Sequence, residues 1–124
     1  MFLRSRDQWP GVDAVLCAND VMALGVLDAL DANPGHRPLV VGVNAIPEAV
    51  AAIAAGRMLA TADFNAMSMS EIAAEAAVRH LRGEAIPAEI MLPVQVVDAG
   101  NCTAWNAPFD ARPSPVWDEI VRRG

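Results

Sequence analysis

The sequence predicts a three-layer α/β/α fold built around a mostly parallel β-sheet. Two observations predict it: short apolar runs alternate with amphipathic helical patterns, and Asn, Pro and Gly separate them. Strands that are apolar at nearly every position are typical of parallel sheets covered on both faces. The chain of 124 residues has the usual length of one domain. Because 54% of its residues are hydrophobic and only 19% are charged, we expect a packed core.

The first strand is predicted over residues 13–18, and the first helix over residues 21–32. Asn19 and Asp20 both offer oxygens that can cap this helix, and Asp20 is the expected cap. Apolar residues recur at spacings of three and four within the helix, which gives it one buried face. The turn at 33–35, Asn-Pro-Gly, ends it.

The second strand, over residues 39–43, ends at Asn44, and Pro47 suits the first turn of a helix that runs to Gly56. The third strand is predicted over residues 58–63. Ser68 stands three residues before Glu71, and this capping-box pattern predicts a helix over residues 69–82. Within that helix, Glu75 and Arg79 have the spacing of a favourable ion pair.

A fourth apolar run, over residues 90–97, contains Pro93, which indicates a strand start or an edge strand. Residues 101–124 form a Pro- and aromatic-rich strap with a short helix at 115–122, so we divide the chain into a lobe at 1–100 and a strap at 101–124. Residues 1–8 have the pattern of the end of a helix and lack the apolar stretch of an export signal. No run approaches the roughly 20 apolar residues of a membrane span, so no membrane insertion is expected.

Charge and motif content argue against several classes of function. The net charge is −6, and no basic cluster precedes Arg122 and Arg123, so we expect no nucleic-acid partner. Cys17 and Cys102 are too few and too far apart for a disulfide scaffold or a CxxC site, and Cys17 is expected to be a buried thiol. A glycine-rich phosphate loop, a nucleophile elbow and metal-ligand spacing are all missing. The sequence therefore predicts no enzyme, no metal and no cofactor.

Polar side chains follow the first three predicted strands. These candidate ligand-binding residues are Asn19, Asn44, Asp63, Phe64 and Asn65. Open parallel sheets bind ligands at the carboxyl ends of their strands. Amide and carboxylate groups bond the hydroxyls of a sugar, and an aromatic ring stacks on its apolar face. The alternative is that these Asn and Asp residues act only as caps and turn residues.

Several spaced motifs resemble one known family. Residues 13–25, DAVLCANDVMALG, are similar to a segment of the type I periplasmic sugar-binding proteins, the solute receptors of ABC importers. Residues 40–49, VVGVNAIPEA, and residues 52–61, AIAAGRMLAT, match two further motifs of that family. Effector-binding cores of lactose-repressor-type regulators share the fold and the first two motifs, and they are the alternative. The segments at 56–61 and 97–101 favour the transporter family.

The resemblance implies roles for the candidate residues. Asn19 and Asn44 match positions that bond sugar hydroxyls, and Phe64 falls near a third position that is often Gln. Asp63 or Asn65 takes that third role instead.

The resemblance also implies where such a chain works. Family members are about twice this size, so the chain is expected to be a fragment of the C-terminal lobe that contributes part of a monosaccharide cleft and binds weakly. In the full-length family the location is the periplasm and the partner is an ABC permease. The helix at 69–82 would lack its usual packing partner, so we expect a homodimer through it or through the strap.

Overall fold

The computed structural model describes residues 11–33, 35–112, 114 and 116–121. A four-stranded sheet in the order β1-β2-β3-β4 organises them. Three strands, β1 (Ala14–Leu16), β2 (Leu39–Val43) and β3 (Ala60–Asp63), pair in parallel, and β4 (Gln95–Asp98) pairs antiparallel with β3. The predicted α/β fold with a mostly parallel sheet is confirmed.

Three helices connect these strands in chain order, and a fourth follows the last strand. They are α1 (Asp20–Ala32), α2 (Pro47–Ala54), α3 (Ala66–Leu81) and α4 (Trp117–Val121), and two short 3-10 turns cover Cys102–Trp105 and Phe109–Ala111. Residues of α1 and α2 belong to one core cluster with residues of the sheet, so both crossover helices lie on the same face of the sheet.

The main core lies between that face and the two crossover helices. Val40 and Val97 from the sheet pack there with Leu27 of α1 and Ile53 of α2, and all four are almost completely buried. Cys102, from the first 3-10 turn, closes the same cluster. This packing fixes the ends of β1, β2 and β3 relative to one another.

The opposite face of the sheet is open among the described residues. Leu16 is 81% exposed and Val96 is 62% exposed, and the strand residues between them are only partly buried. Within the described ranges, α1 and α2 therefore cover one face of the sheet, and no helix layer covers the other face.

A second, smaller apolar cluster joins α3 to α4. Ile72 of α3 packs with Trp117 and Ile120 of α4, and the guanidinium of Arg79 lies 4.8 Å from the centre of the Trp117 ring. The predicted pair between Glu75 and Arg79 is confirmed, with 2.7 Å between its charged atoms. In the described part of the chain, α3 packs against α4 rather than against the sheet. The side chains of Met69, in the first turn of α3, and Leu81, its last residue, are exposed.

The predicted start of α3 is wrong. The helix begins at Ala66, and Asn65 caps it by accepting a hydrogen bond from the Ser68 backbone amide at 3.0 Å. Asn65 adopts a left-handed backbone with φ of 49°, which Asn tolerates better than most residues. Ser68, expected to form a capping box with Glu71, is instead buried in the first turn and donates to the Ser114 hydroxyl.

The predicted cap of α1 is also wrong, because Asn19 accepts from the Met22 amide at 2.9 Å while Asp20 is the first helical residue.

Several strand and helix ends also differ from prediction. The third strand starts at Ala60 rather than at residue 58, and the fourth starts at Gln95, after Pro93. The last helix, predicted over residues 115–122, is described over Trp117–Val121. The predictions for residues 1–8, 115 and 122 lie outside the described residues.

Candidate ligand-binding site at the carboxyl edge of the sheet

Three chain segments that carry candidate residues meet at one edge of the sheet. Asn19 follows β1, Asn44 follows β2, and β3 ends at Asp63. The parallel register places these ends side by side, and the backbone amide of Asn44 donates to the Ala62 carbonyl at 2.9 Å. The structure thus brings the predicted residues to the same edge, where open α/β sheets bind ligands.

The turn after β2 has an unusual backbone. Asn44 has φ of 116° and Ala45 has φ of 51°, so two successive non-glycine residues lie at positive φ. Each such residue costs on the order of 1–3 kcal/mol of conformational free energy, and it persists only where the surrounding structure imposes it. Ala45 is completely buried, and its amide donates to the Thr61 hydroxyl at 3.3 Å. Tertiary contacts therefore hold this turn.

The side chains at the turn have hydrogen-bonding capacity to spare. No described residue bonds the half-buried side-chain amide of Asn44. Asn19 uses its carbonyl oxygen to cap α1, which leaves the donor end of its amide for another group. Phe64 is half-buried, so part of its ring remains accessible. Together these groups can accept, donate and stack, as a hydroxyl-rich ring requires.

Asp63 and Asn65 make contacts within the protein. One carboxylate oxygen of Asp63 accepts from the Asn65 amide at 2.8 Å, and the other accepts from the indole of Trp105 at 2.6 Å. Asn65 caps α3 with its side-chain oxygen. These contacts give both residues a structural role at the point where the chain leaves the sheet.

A cavity of about 450 Å³ lies beside these two residues. Asp63, Asn65, Trp105 and Arg112 line part of it, and its volume is in the range of small-molecule sites. Arg112 donates to the Trp105 carbonyl at 3.1 Å, and burial lowers the pKa of its guanidinium. Asn19, Asn44 and Phe64 do not line this cavity. The candidate residues therefore fall into two neighbouring groups.

A buried carboxylate lies beneath the edge. Asp20 is completely buried and accepts from the Thr61 hydroxyl at 2.7 Å and from the Ile46 amide at 2.9 Å. Burial raises the pKa of Asp20, and these two hydrogen bonds oppose the rise. A Cβ on Gly42 would overlap Oδ1 of Asp20, so the neighbouring strand needs glycine at this position.

Sequence reasoning missed Thr61, Trp105 and Arg112 as parts of this region, and it assigned Asp20, which follows Asn19 at the end of β1, to helix capping. The available signal for Asp20 was a second capping residue directly after Asn19, because Asn19 alone suffices to cap α1. For Trp105 and Arg112 the sequence holds no spacing that links them to Asp63.

The described residues contain no group of three or more His, Cys, Asp or Glu side chains that could hold a metal ion. They also contain no helix with the length and apolar character that crossing a membrane requires.

The fold is that of an open α/β sheet, a class of protein in which ligands bind at the carboxyl ends of the strands. The sequence model of the periplasmic binding protein domain matches residues 2–85. The chain belongs to this family. It is 50% identical over 54 residues to the D-allose-binding periplasmic protein of Escherichia coli K12, a match that covers 42% of this chain and 17% of that protein.

Solved structures of solute-binding proteins share the fold of this chain. An ABC transporter periplasmic solute-binding protein from Actinobacillus succinogenes 130z with bound D-allose superposes with a TM-score of 0.74 at 28% identity, over 81% of this chain and 35% of that one. The Caulobacter myo-inositol-binding protein with bound myo-inositol gives 0.69 at 36% identity, over 82% and 34%. The chain thus spans about a third of the length of these structures.

Proposed function

We propose that this chain forms part of the sugar-binding cleft of a substrate-binding protein that serves an ABC importer in the periplasm. The expected ligand class is a monosaccharide or cyclitol, and the expected action is binding rather than catalysis. The permease of the importer is the proposed partner of the full-length protein. D-Allose and myo-inositol, the ligands of two similar structures, belong to this class.

One observation carries the proposal. The Asn44 side chain stands at the carboxyl edge of the sheet, on a turn with two positive-φ residues, without a partner among the described residues. A strained backbone that presents a side-chain amide without a described partner indicates a binding role, because strain of this kind is concentrated at active sites and ligand-binding sites. Asn19 and Phe64 flank it at the same edge.

NMR titration of the isotope-labelled chain with D-allose, D-ribose and myo-inositol tests the proposal. A single lobe leaves half of a bound sugar in water, so we expect a dissociation constant of roughly millimolar or weaker. Shifts should be largest at Asn19, Asn44 and Phe64. If Asp63 and Asn65 also contact the sugar, their amides should shift with them.

Asn44→Ala should weaken binding about tenfold, because it removes one donor and one acceptor for sugar hydroxyls. Asn33→Ala is the matched control: Asn33 is exposed and lies at the C-terminal end of α1, the opposite end of that helix from Asn19. If none of the three compounds produces saturable shifts at the edge, the proposed ligand class is wrong. Equal loss in both variants would mean that Asn44 is not a ligand residue.

A further inference from the structure

One buried pair of side chains connects three separate parts of the chain. Asp20 belongs to the junction of β1 and α1, and Thr61 belongs to β3. Their contact at 2.7 Å joins these two parts, and the turn after β2 joins through the amides of Ala45 and Ile46. The candidate residues Asn19, Asn44 and Asp63–Asn65 lie on these same three parts.

We propose that Asp20 and Thr61 are positioning residues that hold the three ligand-bearing segments in register and impose the turn that presents Asn44. This inference rests on the proposed function for its ligand, whereas the geometry of the turn is independent of any ligand. Neither residue needs to touch the sugar, because both act through the backbone of Ala45 and Ile46.

Helix capping does not account for Asp20. Its position in the first turn of α1 suits an acidic residue, but an exposed carboxylate would satisfy that preference equally well. Asp20 is instead completely buried, and its two oxygens bond groups from other segments. One of those groups is the amide of Ile46, the N-cap residue of α2, which has no side-chain cap of its own. Asp20 therefore organises the starts of two helices.

The hydroxyl of Thr61 relays this contact to Ala45. Because its proton is donated to Asp20, the oxygen presents a lone pair to the Ala45 amide. Ala45 and Ile46 thus receive one acceptor each from the pair. An L-residue such as Ala has no local reason to adopt φ of 51°, so removal of these acceptors should let the turn relax.

Hydrogen exchange of the full chain, followed by NMR, tests the geometry. Asp20→Asn keeps the shape but leaves one acceptor oxygen instead of two, so it cannot accept from both the Thr61 hydroxyl and the Ile46 amide, and Thr61→Val removes the hydroxyl at similar volume. We expect exchange to quicken about tenfold or more at Ile46 in Asp20→Asn and at Ala45 in Thr61→Val, since the amide that loses its acceptor becomes a donor without a partner. Thr61→Ser retains the hydroxyl and should preserve protection.

Asp28→Asn and Thr103→Val serve as matched controls, because both side chains are exposed and neither accepts from the amides of Ala45 or Ile46. The amide of Leu27, in the middle of α1, reports general loss of stability. Affinity for D-allose and myo-inositol is measured on the same samples. We expect it to fall about tenfold in Asp20→Asn and Thr61→Val, and to survive in Thr61→Ser.

Selective exchange at Ala45 and Ile46 together with weaker binding supports the proposal. Unchanged protection of both amides, or an equal rise at Leu27, overturns it. So does an altered turn with unaltered affinity. If the wild-type chain binds neither compound, the proposed function fails, while the exchange data still decide whether the pair imposes the turn.

Discussion

The substitution Gly42→Ala tests how closely β2 approaches the buried carboxylate. A methyl group at this position would overlap Oδ1 of Asp20, and it would stand 2.9 Å from Cε of Met58 and 3.2 Å from Cα of Asp20. The Met58 side chain can turn aside at small cost because it is flexible. Asp20 cannot move without lengthening its hydrogen bonds to Thr61 and Ile46.

The expected loss of stability follows from these contacts. Insertion of a methyl into a packed region costs about 1–3 kcal/mol. Loss of one hydrogen bond to a charged group adds about 1.5–3 kcal/mol. We therefore expect Gly42→Ala to lower the free energy of unfolding by roughly 2.5–6 kcal/mol, a large share of the total for a small domain.

Urea denaturation followed by circular dichroism measures this change. The matched control is Gly25→Ala: Gly25 lies in α1, and a Cβ there would meet nothing within 4 Å. Alanine is favoured over glycine inside a helix by about 0.5–1 kcal/mol, so the control should gain stability. The same substitution should thus act in opposite directions at the two sites. A change smaller than about 0.5 kcal/mol at Gly42 would refute the close packing described for Asp20.

Three further outcomes are expected. The pKa of Asp31 is held below its ordinary value, first by hydrogen bonds from Arg37 and Arg57, so its contribution to stability is present above pH 4 and is lost as pH falls through the lowered pKa. Urea titrations at several pH values should show a shallower acid decline for Asp31→Asn than for wild type. Trp105→Phe removes the indole donor to Asp63 and should cost about 1–3 kcal/mol of unfolding free energy in the same assay, whereas unaltered stability would argue against that hydrogen bond. The chain is expected to dimerise in light scattering at micromolar concentration, through α3 or the strap, and a monomer with α3 protected from exchange would refute this.

Sequence patterns were sufficient for the order and type of the main elements. Apolar runs and turn residues predicted β1, α1, β2 and α2 nearly to their observed ends, because periodicity and glycine or proline act locally. The start of α3 was predicted too late because Asn65 and Ser68 are both residue types that can cap a helix. In the structure Asn65 is the cap, and Ser68 instead donates to Ser114, a contact that the local sequence does not reveal. Strand β4 was placed too early because pairing with β3, a non-local contact, decides its bounds.

The candidate site was predictable only in part. Strand-end reasoning brings Asn19, Asn44 and Asp63 to one edge, since the carboxyl ends of parallel strands share it. It says nothing about which side chains the protein itself uses. Both carboxylate oxygens of Asp63 accept hydrogen bonds within the protein, whereas the side-chain amide of Asn44 has no partner among the described residues. One of the two Asp63 contacts comes from Trp105, forty-two residues away along the chain.

The two apolar clusters suggest how rigidity is distributed around the edge. Asn44 and Asn19 are anchored to the main cluster through Asp20 and Thr61, and both of these side chains are buried. Asn65 instead marks the exit toward α3, whose buried contacts belong to the separate cluster with α4. Because preorganised groups bind with less loss of conformational entropy, Asn19 and Asn44 are better suited than Asn65 to fix the orientation of a ligand. Specificity at this edge should therefore depend more strongly on substitutions at Asn44 than on substitutions at Asn65.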